Sequence, residues 1–171
     1  MSSDNPALKP FHQVHQVYQA FHEYTPEGKT GTSVASVTDW WNGEGYDLSI
    51  TSNQDDKIFS LHMDEWNALL RTAKAAKTNG KDRAKTTFKT VLGPKKYETT
   101  EVETQVFADK KDFNTTITDQ RRSKTINLSW EELDGLRTAV KMLHDAEHKR
   151  IVQSQTIKKP DPRFFYDPFD L

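Results

Sequence analysis

Flat aromatic rings and cations are the chemically useful side chains of this sequence, and several stand at matched places in its two halves. Trp40 and Phe107 each follow a stretch in which apolar and polar residues alternate, and Lys57 and Lys124 recur at equivalent positions further on. A ring on the polar side of a strand can stack on a planar group, and a neighbouring cation can pair with an anion. Trp41, Tyr46 and Tyr97 add rings beside hairpin turns. Lys89, Lys95, Lys96, Lys110, Lys111, Arg121 and Arg122 add cations, all in the second half.

A second constellation offers different chemistry. His144-Asp145-Ala146-Glu147-His148 has the spacing in which two histidines one helical turn apart hold zinc while the glutamate activates water. Such a centre needs a further ligand in a formed cleft. No glutamate follows Glu147, and the segment reads as the polar end of a helix, so metalloprotease chemistry is not expected. His12 and His15 have a looser metal-like spacing in an N-terminal arm, where no metal is expected either. The absence of cysteine removes disulfides, thiolate metal sites and cysteine nucleophiles together. No glycine-rich phosphate loop or nucleophile elbow occurs. The chain therefore reads as a non-enzymatic binding protein without cofactor or metal.

The elements that must position these residues come in two copies. Phe21 to Ala76 can be laid on Phe88 to Leu143 at one constant offset without a gap, which sets Tyr46 on Phe113, Ile50 on Ile117, Leu61 on Leu128 and Leu69 on Leu136. A repeat this long, present twice, indicates a duplicated supersecondary unit rather than a solenoid. Each copy ends in a helix with one apolar stripe: Met63, Trp66, Leu69, Leu70, Ala73 and Ala76, then Trp130, Leu133, Leu136, Val140 and Leu143. Ser129-Trp130-Glu131-Glu132 forms a capping box, and Asn79-Gly80 a stop.

Ahead of each helix the period is two. Tyr46, Leu48 and Ile50 alternate with polar residues, as do Phe113, Thr115 and Ile117, and Phe59-Leu61 and Ile126-Leu128 supply a last strand. Upstream, Ser33 to Trp41 and Glu101 to Ala108 read as second strands, and Gln16 to Tyr24 and Lys85 to Leu92 as first ones. The expected class is α+β, with tandem ββββα repeats (16–80 and 83–150) forming two antiparallel four-stranded sheets packed through two helices. Residues 1–15 are expected to be a flexible arm, 16–152 one domain and 153–171 an acidic, aromatic tail.

Composition agrees. Hydrophobic residues are 34% of the chain and charged ones 29%, so the surface must be largely polar and the core economical. Aromatics at 11% are too frequent for a fully disordered chain. No apolar run approaches the roughly 20 residues needed to span a bilayer, and Met1 to Pro10 has neither a basic leader nor an apolar segment of the secretory kind. A soluble, cytoplasmic protein is expected, nucleoid-associated or in the cytoplasm of an infected cell. Net charge is −1, but Lys81, Arg83, Lys85, Lys89, Lys95 and Lys96 make the middle basic while Asp161 to Leu171 is acidic, a pattern suited to an anionic ligand.

Two segments carry a resemblance. Ile58-Phe59-Ser60-Leu61-His62-Met63-Asp64-Glu65-Trp66 and Thr125-Ile126-Asn127-Leu128-Ser129-Trp130-Glu131-Glu132-Leu133 each run from a strand through Ser or Asn and Leu into a helix that opens with acids and an apolar anchor. This resembles the last strand and helix start of the Whirly family and, more distantly, of the positive cofactor four and Pur-alpha groups. The likeness spans roughly Gln16 to Arg150. The Lys-Gly-Lys-Ala-Ala-Leu signature of plant Whirly proteins is not present. The resemblance implies binding of single-stranded nucleic acid on exposed sheet faces and a symmetric homo-oligomer assembled through the helices.

The residues support the same expectation. Sequence-tolerant single-strand binders combine stacking rings with a basic track, so Trp40 and Phe107, then Trp41, Tyr46 and Tyr97, are the expected stacking residues. Lys57, Lys124, Lys89, Lys95, Lys96, Lys110, Lys111, Arg121 and Arg122 are the expected phosphate contacts. DNA is the expected ligand, in replication, recombination or transcription, and RNA stacks in the same way. An oligomeric protein-interaction or architectural module is the other reading. Phe164, Phe165, Tyr166, Asp167, Phe169, Asp170 and Leu171 follow prolines that discourage helix or central strand, and are expected to dock replication or recombination partners.

Overall fold

The computed structural model describes residues 17–53 and 55–153, with side chains as far as 146. The N-terminal arm with His12 and His15, and the tail with its docking residues Phe164 to Leu171, lie outside the described residues. The chain runs β1 (Gln19–Tyr24), β2 (Ser33–Asp39), β3 (Gly45–Thr51), β4 (Asp56–His62), α1 (Met63–Thr78), β5 (Arg83–Gly93), β6 (Lys96–Val106), β7 (Asp112–Thr118), β8 (Ser123–Ser129) and α2 (Trp130–Gln153). The strands form two antiparallel sheets, β1-β2-β3-β4 and β5-β6-β7-β8, each a simple meander. The class is α+β. Among the described residues no helix is long and apolar enough to cross a membrane.

Strand alternation gives each sheet an inner face of Ala35, Val37, Tyr46, Leu48, Ile50 and Leu61, or of Val102, Thr104, Val106, Phe113, Ile117 and Leu128, all buried. The two faces contribute to one continuous core. Burying leucines and isoleucines at about 2 kcal/mol each is its main source of stability.

The helices are exchanged between the copies. α1 follows the first sheet in sequence but packs on β5 and β6, and α2 packs on β1 and β2. Each repeat's helix thus covers the other repeat's sheet. Thr72 of α1 shows how closely this fits: its hydroxyl bonds Thr104 on β6 at 2.8 Å, and Thr104 bonds Thr115 on β7 at 2.8 Å. All three threonines are buried, and their hydroxyls satisfy one another. On the other side Gly135 of α2 lies so near Tyr24 that an added Cβ would come within 2.9 Å of the ring. The missing side chain lets that helix approach the sheet.

The second helix keeps the expected capping box, and the first starts with the same kind of contact. The Ser129 amide donates to Glu132 Oε1 at 2.7 Å and the Glu132 amide to Ser129 Oγ at 3.1 Å; the His62 amide donates to Glu65 Oε1 at 3.1 Å. Glu65 and Glu132 also place negative charge at the positive ends of the helix dipoles. α1 stops at Asn79, followed by Gly80 at φ 76°.

The constant offset holds from the second strand onward and fails before it. β3 and β4 of the first copy match β7 and β8 residue for residue in their pairing. In the first strands, however, Tyr24 pairs with Ser33 and Phe88 with Thr100, so Tyr24, not Phe21, is the counterpart of Phe88. Eight residues separate the first pair and eleven the second. A displacement by an odd number reverses the faces, and Phe21 accordingly points outward while Tyr24 and Phe88 pack on the core. The extra residues of the second copy extend β5 and β6 into a projecting two-stranded arm.

Candidate nucleic-acid interface

The lysines that mark equivalent positions in the repeats do not face a ligand. Lys57 and Lys124 share the inner side of their strands with Phe59 and Ile126, and each crosses to the other repeat. Lys57 Nζ donates to Glu132 Oε1 at 2.8 Å and to the Asn127 carbonyl at 3.0 Å; Lys124 Nζ donates to Glu65 Oε1 at 3.0 Å and to the Ser60 carbonyl at 3.3 Å. The two sets are related residue for residue by the internal repeat. They join the halves, which corrects the expectation that these cations hold phosphate. Tyr46 is corrected as well. It is 1% exposed, its hydroxyl meets His144 Nε2 at 2.5 Å, and its ring stands edge-on to Trp66. A ring enclosed in the core cannot stack on a base. The same contact assigns His144, the first histidine of the H-x-x-E-H run, to the core; the side chains of Glu147 and His148 lie outside the described residues.

The outer faces of the two sheets differ in charge. By strand alternation the first sheet presents Glu23, Asp47 and Asp56 with no lysine or arginine among the described residues, in the two rows that flank Phe21 and Ile58. Trp40 belongs to this side: its ring covers Gly45 and its indole N–H donates to Asp47 Oδ1 at 3.1 Å. Trp41, beside it, is exposed. The second sheet presents Arg83, Lys85 and Lys89 along β5, opposite Gln105, Glu103 and Thr99 of β6, with Glu101 opposite Thr87 on the same face. Arg83 lies 3.8 Å from Glu103 and Lys85 3.3 Å from Glu101. Asn114, Thr116, Asn127 and Thr125 complete a floor of hydrogen-bonding groups on β7 and β8.

Three cationic groups lie in the turns and the arm at the ends of the second sheet. Lys110 and Lys111 occupy the β6–β7 turn, next to exposed Phe107, whose amide bonds the Asp112 carbonyl just as that of Trp40 bonds the Gly45 carbonyl. Arg121 and Arg122 occupy the β7–β8 turn and donate their amides to Asp119 Oδ1. These amide donors hold Asp119 below the usual carboxylate range, and the Lys111 and Asp112 amides do the same for Asp109. Burial, with the Asp109 charge, pushes Asp112 the other way. The arm carries the third group: Lys89, Lys95 and Lys96 with exposed Val91, Leu92 and Tyr97. Lys89 Nζ lies 5.9 Å from the centre of the Tyr97 ring.

No protein-family profile matches the chain, and no curated protein matches it.

Backbone conformation adds a further sign. Among the described residues only Asp82, Lys95 and Lys110 are non-glycine residues at positive φ, at 59°, 59° and 61°. A left-handed lysine costs roughly 1–2 kcal/mol that glycine would avoid. Charge is kept at both turns against that cost, and strain of this kind collects at functional sites. Lys110 pairs with Asp82 at the end of the β5–β6 ribbon opposite the arm tip.

Of the residues expected from sequence, the structure thus brings Lys89, Lys95, Lys96, Tyr97, Phe107, Lys110, Lys111, Arg121 and Arg122 to the second sheet and its turns. Trp40 and Trp41 stand on the acidic side, and Lys57, Lys124 and Tyr46 are internal. Arg83 and Lys85 were missed, although their two-residue spacing with Lys89 was readable as one strand face.

Tyr24 supplies a pH test of the core beneath the first sheet. Burial, reinforced by Glu132 and Glu131 and opposed by Ser33, pushes its phenol from 10.0 up to about 12. Its contribution to stability is therefore complete below pH 10 and lost as pH rises toward 12, because the unfolded chain releases the proton first. Urea unfolding across that range should show a steeper alkaline loss for the wild type than for Tyr24→Phe; parallel profiles would contradict it.

Proposed function

We propose that this protein binds single-stranded nucleic acid, DNA in the first place, without strong sequence preference, on the outer face of the second sheet. The observation that carries the reading is the union on one side of cations, hydroxyl and amide groups, and an exposed ring: Arg83, Lys85 and Lys89 along β5, the Thr and Asn floor beside them, and Tyr97 on the arm, 58% exposed. Unpaired bases need flat partners and hydrogen-bonding groups, and the sugar-phosphate chain needs cations. Asp47 beside Trp40, and the uncompensated acids around it, make the first sheet a poor surface for phosphate. The ββββα order with two open meanders supports a Whirly-like fold. The role this suits is non-catalytic: coating and protecting strands exposed in replication, recombination or transcription.

Fluorescence anisotropy with labelled oligothymidine at several salt concentrations tests the reading. Log affinity should fall linearly with log salt, by about 0.7 per phosphate neutralised on a single strand. Tyr97→Ala should weaken binding by about 1–3 kcal/mol if one base stacks there. Arg83→Ala with Lys85→Ala should flatten the salt slope, and Trp40→Ala should change little. Absence of binding at low salt overturns the proposal, and an oligouridine series decides between DNA and RNA.

A further inference from the structure

The acidic outer face of the first sheet has a complement elsewhere on the same molecule, and we infer that it receives the arm tip of a second copy of this chain. One row across the sheet runs Phe21, Ser36, Ser49, Ile58. Phe21 and Ile58, on the two edge strands, are 54% and 79% exposed. Between them the hydroxyls of Ser36 and Ser49 bond each other and leave a low floor. Three strand spacings of about 4.8 Å set the two apolar walls roughly 14 Å apart. Glu23 and Asp56 close the next row on one side, and Asp47 lies in the row on the other. Glu44 and Asp55 in the adjoining turns carry the same sign.

Such a surface excludes nucleic acid and repels another surface like itself. It calls for a narrow, cationic projection with an apolar point. The arm tip has that form: Leu92, exposed, beside Lys95 and Lys96 on a ribbon whose β6 side has no partner strand from Lys96 to Thr100 among the described residues. Leu92 fits the trough between Phe21 and Ile58, and Lys95 and Lys96 pair with Glu23, Asp47 and Asp56. Lys89, Val91 and Tyr97, on the outward side of the ribbon, remain available to the ligand proposed above. Donor and acceptor are different patches, so the contact is heterologous and propagates into open chains rather than closing as a dimer. Unlike the assembly through helices that the family resemblance implies, this contact does not involve the helices.

Sedimentation velocity at low ionic strength, without nucleic acid, tests this independently of strand binding. The average mass should rise continuously with concentration. Lys95→Glu with Lys96→Glu should abolish association, as should Glu23→Lys with Asp56→Lys, each weakening it at least about tenfold while leaving the melting profile unchanged. Mixing the two variants should restore association, because each then offers the charge the other needs. A wild type monomeric at every concentration, a closed dimer, association indifferent to both variants, or a mixture that stays monomeric would each overturn the inference.

Discussion

Cutting the chain between Gly80 and Lys81 is expected to yield two halves, neither of which folds alone as a monomer, and which fold together when mixed. The break falls in exposed chain between α1 and β5, so the cut itself removes no core contact. What it removes is the cover of each sheet. In the first half Val37, Leu48 and Ile50 are each 1% exposed under α2, which belongs to the second half. At about 2 kcal/mol per side chain, uncovering these three forfeits about 6 kcal/mol, comparable with the whole stability of a domain, about 5–15 kcal/mol. α1 cannot substitute, because its polar anchor Thr72 is matched to Thr104 on β6, whereas the first sheet offers Val37 at the corresponding position. Circular dichroism melts of each half should lack a cooperative transition at micromolar concentration, and an equimolar mixture should regain one, with the mass of a heterodimer. A half that melts cooperatively as a monomer would show that its helix can fold back on its own sheet.

That exchange was the part of the fold least visible in the sequence. Alternation of Tyr46, Leu48 and Ile50 with polar residues reveals a strand with one wet face, and the stripe of Trp66, Leu69, Leu70 and Ala73 reveals a helix with one dry face. Neither pattern says which dry face meets which, because both helices carry similar stripes and both sheets similar inner faces. The misplacement of the first strand has a simpler origin. Phe21 and Phe88 are the same residue type at a convenient spacing, while the true counterpart of Phe88 is Tyr24, and only the pairing with Ser33 and Thr100 distinguishes them. For Lys57, Lys124 and Tyr46 the signal was present and outweighed. The alternation that sends Phe59, Leu61 and Leu48 inward sends these residues inward too, but a lysine or a tyrosine near a turn reads first as a surface group. Lys89 and the turn cations were legible because exposed charge needs no partner to be recognised, whereas Arg83 and Lys85 were passed over although they share a strand face with Lys89.

Glu65→Ala and Glu132→Ala should be among the most destabilising single substitutions at the helix starts, each costing about 2–4 kcal/mol in urea unfolding. Each carboxylate has two tasks on one oxygen: it accepts the backbone amide three residues before it and the lysine of the opposite repeat. Truncation therefore uncaps a helix and strands a half-buried ammonium group at the junction of the halves. The Glu65 side chain is 9% exposed and that of Glu132 18%, so water can compensate less at Glu65 and its loss should be the larger. Lys124→Met and Lys57→Met preserve the caps and the aliphatic stems, and partial exposure weakens the ion pairs they delete. Their cost should be about 1 kcal/mol or less. Removing both partners of one pair should then cost less than the sum of the single losses, since the stranded charge is gone. If the lysine substitutions instead cost as much as the glutamate ones, the ion pairs and not the caps hold the helix starts. The joint between the repeats would then be electrostatic, and its strength should fall steeply with salt.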